Sequence, residues 1–286
     1  MTLFDLRATP AETLPEFKEC KVVTGDLACR EAVLPLIEEQ RIESIFHLGA
    51  MLSGDAEDDP DRAWDVNMGG TRNVLEAARL SGVERVLFAS TAATFGAGLP
   101  EPVHIDAPQW PVSLYGATKV AGERLGVYYH HRYGLDFRCV RLAAVTAPHG
   151  ATGGASGFCS LLYMEAIRNG RYEFYLDPGT RAPIIYVDDA VRALLDLHDA
   201  PEEALTRRVY QVNGIGPSAR EMADSVKARL PDVRITYVRD PVRDAIVDSW
   251  PSQFDATDAA NDWGWESRFD LGEMTDAMIA ALGSSP

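Results

Sequence analysis

Cysteine is scarce in this chain. The four present (Cys20, Cys29, Cys139, Cys159) show neither metal-ligand nor disulfide-framework spacing. That fits a reducing compartment and small buried side chains rather than nucleophiles. Long apolar runs are missing too; none reaches the ~20 residues that a membrane-spanning helix needs. The start of the chain carries no charged-then-apolar targeting pattern, so the expected location is the cytoplasm. Positive charge is in short supply. Twenty-seven Lys and Arg against 43 Asp and Glu leave a net charge of −16, which argues against nucleic acid or anionic membrane as a partner, since both require basic surface. Internal repeats, low-complexity tracts and metal-ligand clusters are absent from the reading as well.

What the chain does have is alternation. Short apolar runs at 2–5, 20–24, 44–48, 84–89 and 136–142 read as strands, and the intervening stretches 30–40, 59–81 and 111–133 have helical periodicity. Strands alternating with helices of this length predict an α/β fold, a doubly wound, Rossmann-like parallel sheet. After Pro148 the pattern breaks into a Gly-rich loop and shorter elements, as in a smaller substrate-binding lobe. The expected division is a sheet domain of residues 1–148 and 187–215 and a lobe of residues 149–186 and 216–286.

Chemistry concentrates at Tyr115-Gly116-Ala117-Thr118-Lys119. A Tyr and a Lys four apart on a helix share a face. A nearby ammonium favours the phenolate, so such a Tyr loses its proton below its usual pKa of about 10 and can serve as a base in alcohol oxidation. Upstream, a buried-strand pattern ends in Ser90-Thr91, and a hydroxyl at that strand end can hold a substrate oxygen. Chains built this way usually open with a strand, a Gly-rich turn and a helix that hold a dinucleotide pyrophosphate. Here no GxxGxxG lies near the start. The opening run reads as the second strand of such a unit, and Asp5 at its end would bind ribose hydroxyls and favour NAD over NADP.

With these elements placed, the chain resembles the extended short-chain dehydrogenase/reductase superfamily, specifically its NAD-dependent epimerase/dehydratase group. Within that group it is most similar to the short-chain type of L-threonine 3-dehydrogenases. The resemblance rests on Ala63-Trp64-Asp65-Val66-Asn67 with Gly70, on 115–123 (YGATKVAGE), on Tyr186-Val187-Asp188-Asp189-Ala190, and above all on Asp248-Ser249-Trp250-Pro251 and Asp262-Trp263-Gly264-Trp265. It implies NAD as cofactor and catalytic roles for Thr91, Tyr115 and Lys119, with Ser90 able to stand in for Thr91. Tyr115 would be the base, while Lys119 would lower its pKa and hold the nicotinamide ribose. Cofactor contacts would fall on Asp5, Asp26, Leu27, Leu48, Gly49, Ala50 and Asn67, besides Tyr115 and Lys119. Substrate contacts would fall on Ser53, Thr91, Ser156, Arg181 and Trp250. Several of these have structural alternatives: Asp26 as a helix cap, Asn67 as a backbone bridge, Arg181 as an ion pair, Trp250 as packing. His47, inside a strand pattern, reads as a satisfied core residue. The resemblance also implies a homodimer.

The implied reaction is NAD-dependent oxidation of L-threonine to 2-amino-3-oxobutanoate; the alternatives are a sugar-nucleotide epimerase or dehydratase and an inactive truncated form. Three departures bear on it. The strand–Gly-turn–helix unit is not seen, which would leave two neighbouring strands without ladder partners; the expectation is a misplaced start or a fragment that folds poorly alone and holds dinucleotide weakly. The loop Gly153-Gly154-Ala155-Ser156-Gly157 lacks the carboxylate of the threonine pattern. Arg141-Leu142-Ala143-Ala144 stands where Arg-Tyr-Pro-Gly is usual.

Overall fold

The protein is described from a computed structural model over residues 1–7, 19–150 and 154–283. Among the described residues ten strands form: β1 (Thr2–Asp5), β2 (Lys21–Thr24), β3 (Ser44–His47), β4 (Arg85–Thr91), β5 (Asp136–Leu142), β6 (Ala144–Thr146), β7 (Arg171–Phe174), β8 (Ile184–Tyr186), β9 (Val209–Gln211) and β10 (Arg234–Tyr237). The α-helices are α1 (Arg30–Glu39), α2 (Ser53–Asp58), α3 (Pro60–Trp64), α4 (Gly70–Ser81), α5 (Leu114–Tyr133), α6 (Phe158–Asn169), α7 (Val187–Asp199), α8 (Ala219–Lys227), α9 (Pro241–Asp248), α10 (Thr257–Trp263) and α11 (Leu271–Gly283). The single helix expected over 59–81 is α3 and α4 joined by a π-helical turn, Asp65–Gly69.

The main sheet is parallel, in the order β3-β4-β5-β9, with Phe88 opposite Cys139 and Thr91 opposite Leu142. Alternation along β4 sends Val86 and Phe88 to one face and Leu87 to the other. The first face packs under α1, α4 and α5, with Val33, Val74, Leu75 and Phe137. The second packs under α7, with Ala193, Leu197, Tyr210 and Trp265. This is the expected doubly wound α/β architecture. A further core, built on α6, α8 and α11 around Phe158, Leu162, Phe174 and Met222, carries the parallel pair β7–β10.

β1 and β2 form a separate parallel pair. Among the described residues, β1 pairs only with β2, and β3 only with β4. Each therefore keeps one edge without a ladder partner, and Phe46 on β3 remains 38% exposed.

Strand β5 is buried along its whole length and yet holds two arginines. Arg138 is satisfied by Asp136 and by the carbonyls of Leu197, His198 and Ala200, so it caps the end of α7. Helix α5 starts where Ser113 Oγ accepts from the Gly116 N–H at 3.2 Å. It then lies unusually close to the sheet. A Cβ on Gly122 would stand 2.8 Å from the Phe88 ring, and one on Gly126 would stand 2.1 Å from the Phe137 ring. That close approach brings Lys119 over Phe88.

Candidate active site

Thr91 is the last residue of β4 and has an extended backbone. Its Oγ1 accepts from the Ala93 N–H at 3.2 Å, and its carbonyl accepts from the Thr94 hydroxyl at 2.9 Å. The hydroxyl proton of Thr91 is thereby left to donate towards Tyr115, whose pKa Thr91 lowers. Ser90 points the other way, as the strand's two-residue period demands. It is buried and donates to Glu123 Oε1 at 2.6 Å. It therefore does not stand in for Thr91, contrary to the option left open by the sequence.

Lys119 is 3% exposed; its Nζ donates to the Ala89 carbonyl at 2.8 Å and lies 4.5 Å from the centre of the Phe88 ring. Burial pulls its pKa down to about 8, with Cys139 and Glu123 opposing. Tyr115 does not behave as the sequence suggests. Burial pushes its hydroxyl up to about 12, and only the Thr91 hydrogen bond opposes this. The Lys119 ammonium sits 5.7 Å from the tyrosine ring centre and directs a proton to Ala89, so it is not the group that lowers Tyr115.

The expected cofactor residues line the carboxyl-end rim of the strands, where ligands of doubly wound sheets bind. Asp5 closes β1 and is exposed, with Oδ1 accepting from the Arg7 N–H. Asp26 follows β2. Its Oδ1 accepts from the Ala28 N–H at 2.9 Å and its Oδ2 from Arg62 Nη2 at 2.6 Å. Burial works against its charge, but Ala28 and Arg62 outweigh burial and hold its pKa below the ordinary value. Leu27 meets the loop after β3: a Cβ on Gly49 would lie 2.6 Å from its Cδ1. Leu48, in the same loop, is 55% exposed, and Ala50 is half-buried.

Asn67 lies in the π-turn. Its Oδ1 accepts from the Met51 N–H at 2.8 Å, and its Nδ2 donates to the Met51 carbonyl and to Thr118 Oγ1. It thus ties the loop after β3 to α5, the bridging role that the sequence left open, and widened turns of this kind recur at functional sites. An acid at the end of β1, a carboxylate with lone pairs to spare on Asp26, and open backbone along Leu48, Gly49 and Ala50 fit the adenosine half of a dinucleotide. Tyr115 and Lys119 fit its nicotinamide ribose. Among the described residues no group of His, Cys, Asp and Glu is arranged to hold a metal, and no helix is long and apolar enough to cross a membrane.

The expected substrate residues divide. Ser53, at the start of α2, meets the Gly-rich loop, accepting from the Ala155 N–H at 3.2 Å. Ser156 follows on the same turn and is half-buried, whereas Gly153 lies outside the described residues. Arg181 is taken up elsewhere, donating to the Gly216 carbonyl at 2.6 Å and to Glu221 Oε1 at 2.8 Å. Trp250 is 8% exposed and packs in the α6–α8–α11 core with Val247. These two sit in structural contacts, the alternative that the sequence allowed for each.

Three residues escaped the sequence reading. Arg62 pairs with Asp26, and Asn73 Nδ2 donates to the Leu27 and Ala28 carbonyls at 2.9 and 3.1 Å. Glu123 ties α5 to β4 and β5 through Ser90 and Arg141. Only Glu123 had a signal: it falls one turn beyond Lys119, on the same face.

His47 is buried, with Nε2 2.9 Å from Thr71 Oγ1. Thr71 Oγ1 itself donates to the Asn67 carbonyl, so the histidine is the donor in that contact. Burial, helped by the Lys119 charge, drops its pKa from 6.5 to about 3. A histidine kept neutral in the fold takes up a proton in the unfolded chain below about 6.5, so its contribution to stability falls as pH drops from there towards 3. The expected loss is about 1.4 kcal/mol per pH unit from this group alone. Urea unfolding at pH 6.5 and 5 measures it, and His47→Gln should flatten the difference. An equal slope in the variant would contradict the assignment.

The NAD dependent epimerase/dehydratase family matches residues 3–213. The mitochondrial L-threonine 3-dehydrogenase of Bos taurus is 37% identical over 284 residues, which cover 99% of this chain and 75% of that protein. The structure of L-threonine dehydrogenase from Clostridium difficile superimposes with a TM-score of 0.92 at 32% identity, covering 99% of this chain and 88% of that one. A nucleoside-diphosphate-sugar epimerase from Agrobacterium tumefaciens superimposes at 0.84 with 26% identity, over 99% and 85% of the two chains.

Proposed function

The chain belongs to the NAD dependent epimerase/dehydratase family, and from that premise we propose that it oxidises L-threonine at C3 to 2-amino-3-oxobutanoate. The observation that carries the proposal is the meeting of Thr91, Tyr115 and Lys119 at the carboxyl end of β4. The similarity to L-threonine 3-dehydrogenases supports the choice of substrate.

The site residues would hold NAD, which when bound would supply the acceptor for the hydride that leaves C3. Thr91 would turn its hydroxyl proton from Tyr115 to the reacting oxygen and orient it. Tyr115 takes the hydroxyl proton as the C–O bond gains double-bond character. Lys119, anchored on Ala89, holds its ammonium beside the tyrosine and would hold the nicotinamide ribose. Asp5 and Asp26 take the adenosine end.

The pH dependence follows from Tyr115. Its base form is scarce well below about 12, so kcat/KM for oxidation should rise about tenfold per pH unit through neutrality. Thr91→Ala removes the one interaction that lowers that pKa and should reduce the rate throughout this range. The direct test is NADH formation from L-threonine by the purified chain between pH 7 and 9. Conversion of a nucleotide sugar without threonine oxidation would select the second reading, for which the epimerase likeness speaks.

A further inference from the structure

Both backbone polar groups of Ala155 are held. Its N–H donates to Ser53 Oγ at 3.2 Å, and its carbonyl accepts from the Tyr175 hydroxyl at 3.0 Å. The same hydroxyl accepts from the Phe158 N–H at 3.0 Å. Phe158 is the first residue of α6, and the residue before it, Gly157, has no side chain with which to satisfy an orphan amide. Tyr175 therefore caps α6 from outside the helix and closes the turn from Ala155 to Phe158.

That turn joins two parts of the molecule. Ser53 opens α2, which packs against α5. Tyr175 directly follows β7 and packs against the core built on α6, α8 and α11. The approach at the α2 side is close, since a Cβ on Gly54 would stand 2.9 Å from Gly154 Cα. Ala155 and Phe158 are buried in the same core against which Tyr115 packs. The Tyr175 ring is itself fixed. Arg243 lies over it at 5.2 Å, and Phe158 meets it edge-on at 6.2 Å. Burial pushes its hydroxyl pKa upward, which keeps the proton given to Ala155 in place.

We propose that Tyr175 is a positioning residue for substrate: its hydroxyl, by bridging the Ala155 carbonyl and the Phe158 amide, fixes the turn that presents Ser156 to the bound substrate. That Ser156 meets substrate, and the identity of that substrate, rest on the threonine reading above, whereas the bridge does not.

Tyr175→Phe removes the hydroxyl and keeps the ring between Phe158 and Arg243. The expected result is a KM for L-threonine raised three- to tenfold, about the worth of one hydrogen bond, with kcat and the KM for NAD little changed. Hydrogen exchange at the Phe158 amide should quicken while the main sheet keeps its protection. Those two changes together separate positioning from loss of stability, which would lower the melting temperature and quicken exchange everywhere. An unchanged KM in the variant of an active enzyme overturns the proposal, as does unchanged exchange at Phe158. If the unaltered chain oxidises no threonine yet the Phe158 amide quickens in the variant, the threonine reading fails and the bridge stands.

Discussion

Tyr115→Phe should lower L-threonine oxidation by about 10²–10⁴-fold, the usual worth of a positioned acid–base group, and weaken dinucleotide binding by no more than the one hydroxyl contact to the nicotinamide ribose, about 0.5–1.5 kcal/mol. The substitution deletes one oxygen. The ring stays packed against the core built on α6, α8 and α11, and Lys119 keeps its bond to the Ala89 carbonyl. Thr91 loses a hydrogen-bond partner but keeps its own anchor on the Ala93 N–H. The melting temperature should therefore move little, and the loss should fall on kcat. NADH formation and NAD titration of the two forms, measured side by side, decide the matter. A phenylalanine variant with near-normal turnover would move the base elsewhere, and the family reading would have to survive without its central residue.

Arg141→Leu should cost about 3–5 kcal/mol, the usual penalty for stripping one partner from a buried ion pair. Total stabilities of about 5–15 kcal/mol make that a large share. The two side chains are 2% and 0% exposed, and they meet through paired bonds of 2.9 and 2.8 Å. Burial alone would push the Glu123 carboxyl upward. Arg141, Ser90 and Gln109 outweigh it and hold the pKa below its ordinary value. Without the guanidinium the carboxylate would face Ser90, Gln109 and Arg124 in a site sealed from water. The companion variant Glu123→Leu with Arg141→Leu should recover much of the loss, because an apolar pair of similar volume needs no desolvation. Denaturant unfolding of the single and double variants tests both statements. A single variant within about 1 kcal/mol of the parent would show that the remaining partners suffice.

How much of this was legible in the sequence varies with the kind of interaction. Tyr115, Lys119 and Thr91 could be found because helical spacing and strand ends are local properties. The choice between Ser90 and Thr91 was not local in the same sense; it depended on which face of β4 looks at α5, and the pleat sends Ser90 to Glu123. The α/β architecture followed from alternating elements. The π-turn at Asp65–Gly69 did not, since one extra residue in a helical turn barely disturbs apolar periodicity. In this structure burial, and not the Lys119 charge, dominates the pKa of Tyr115, for a geometric reason. Spacing placed an ammonium on the same helix face, but the Ala89 carbonyl and the depth of the site determine what that charge does. Arg181 and Trp250 show what a resemblance leaves open. Their positions match a family pattern, yet their side chains are engaged by Glu221 and by the second core. Glu123 looked like one more letter in a motif until β5 supplied its partner.

The glycines of α5 carry a consequence for how this protein can change. Where helix and sheet meet at Gly122 and Gly126, there is no side chain to trim. The gap between Lys119 and the end of β4 is therefore governed by the size of the rings opposite, Phe88 and Phe137. Those rings touch no reacting atom, and substitutions there would pass for ordinary core variation. Yet they are the positions through which catalytic spacing can drift between lineages, or be tuned in the laboratory, while Thr91, Tyr115 and Lys119 remain unaltered.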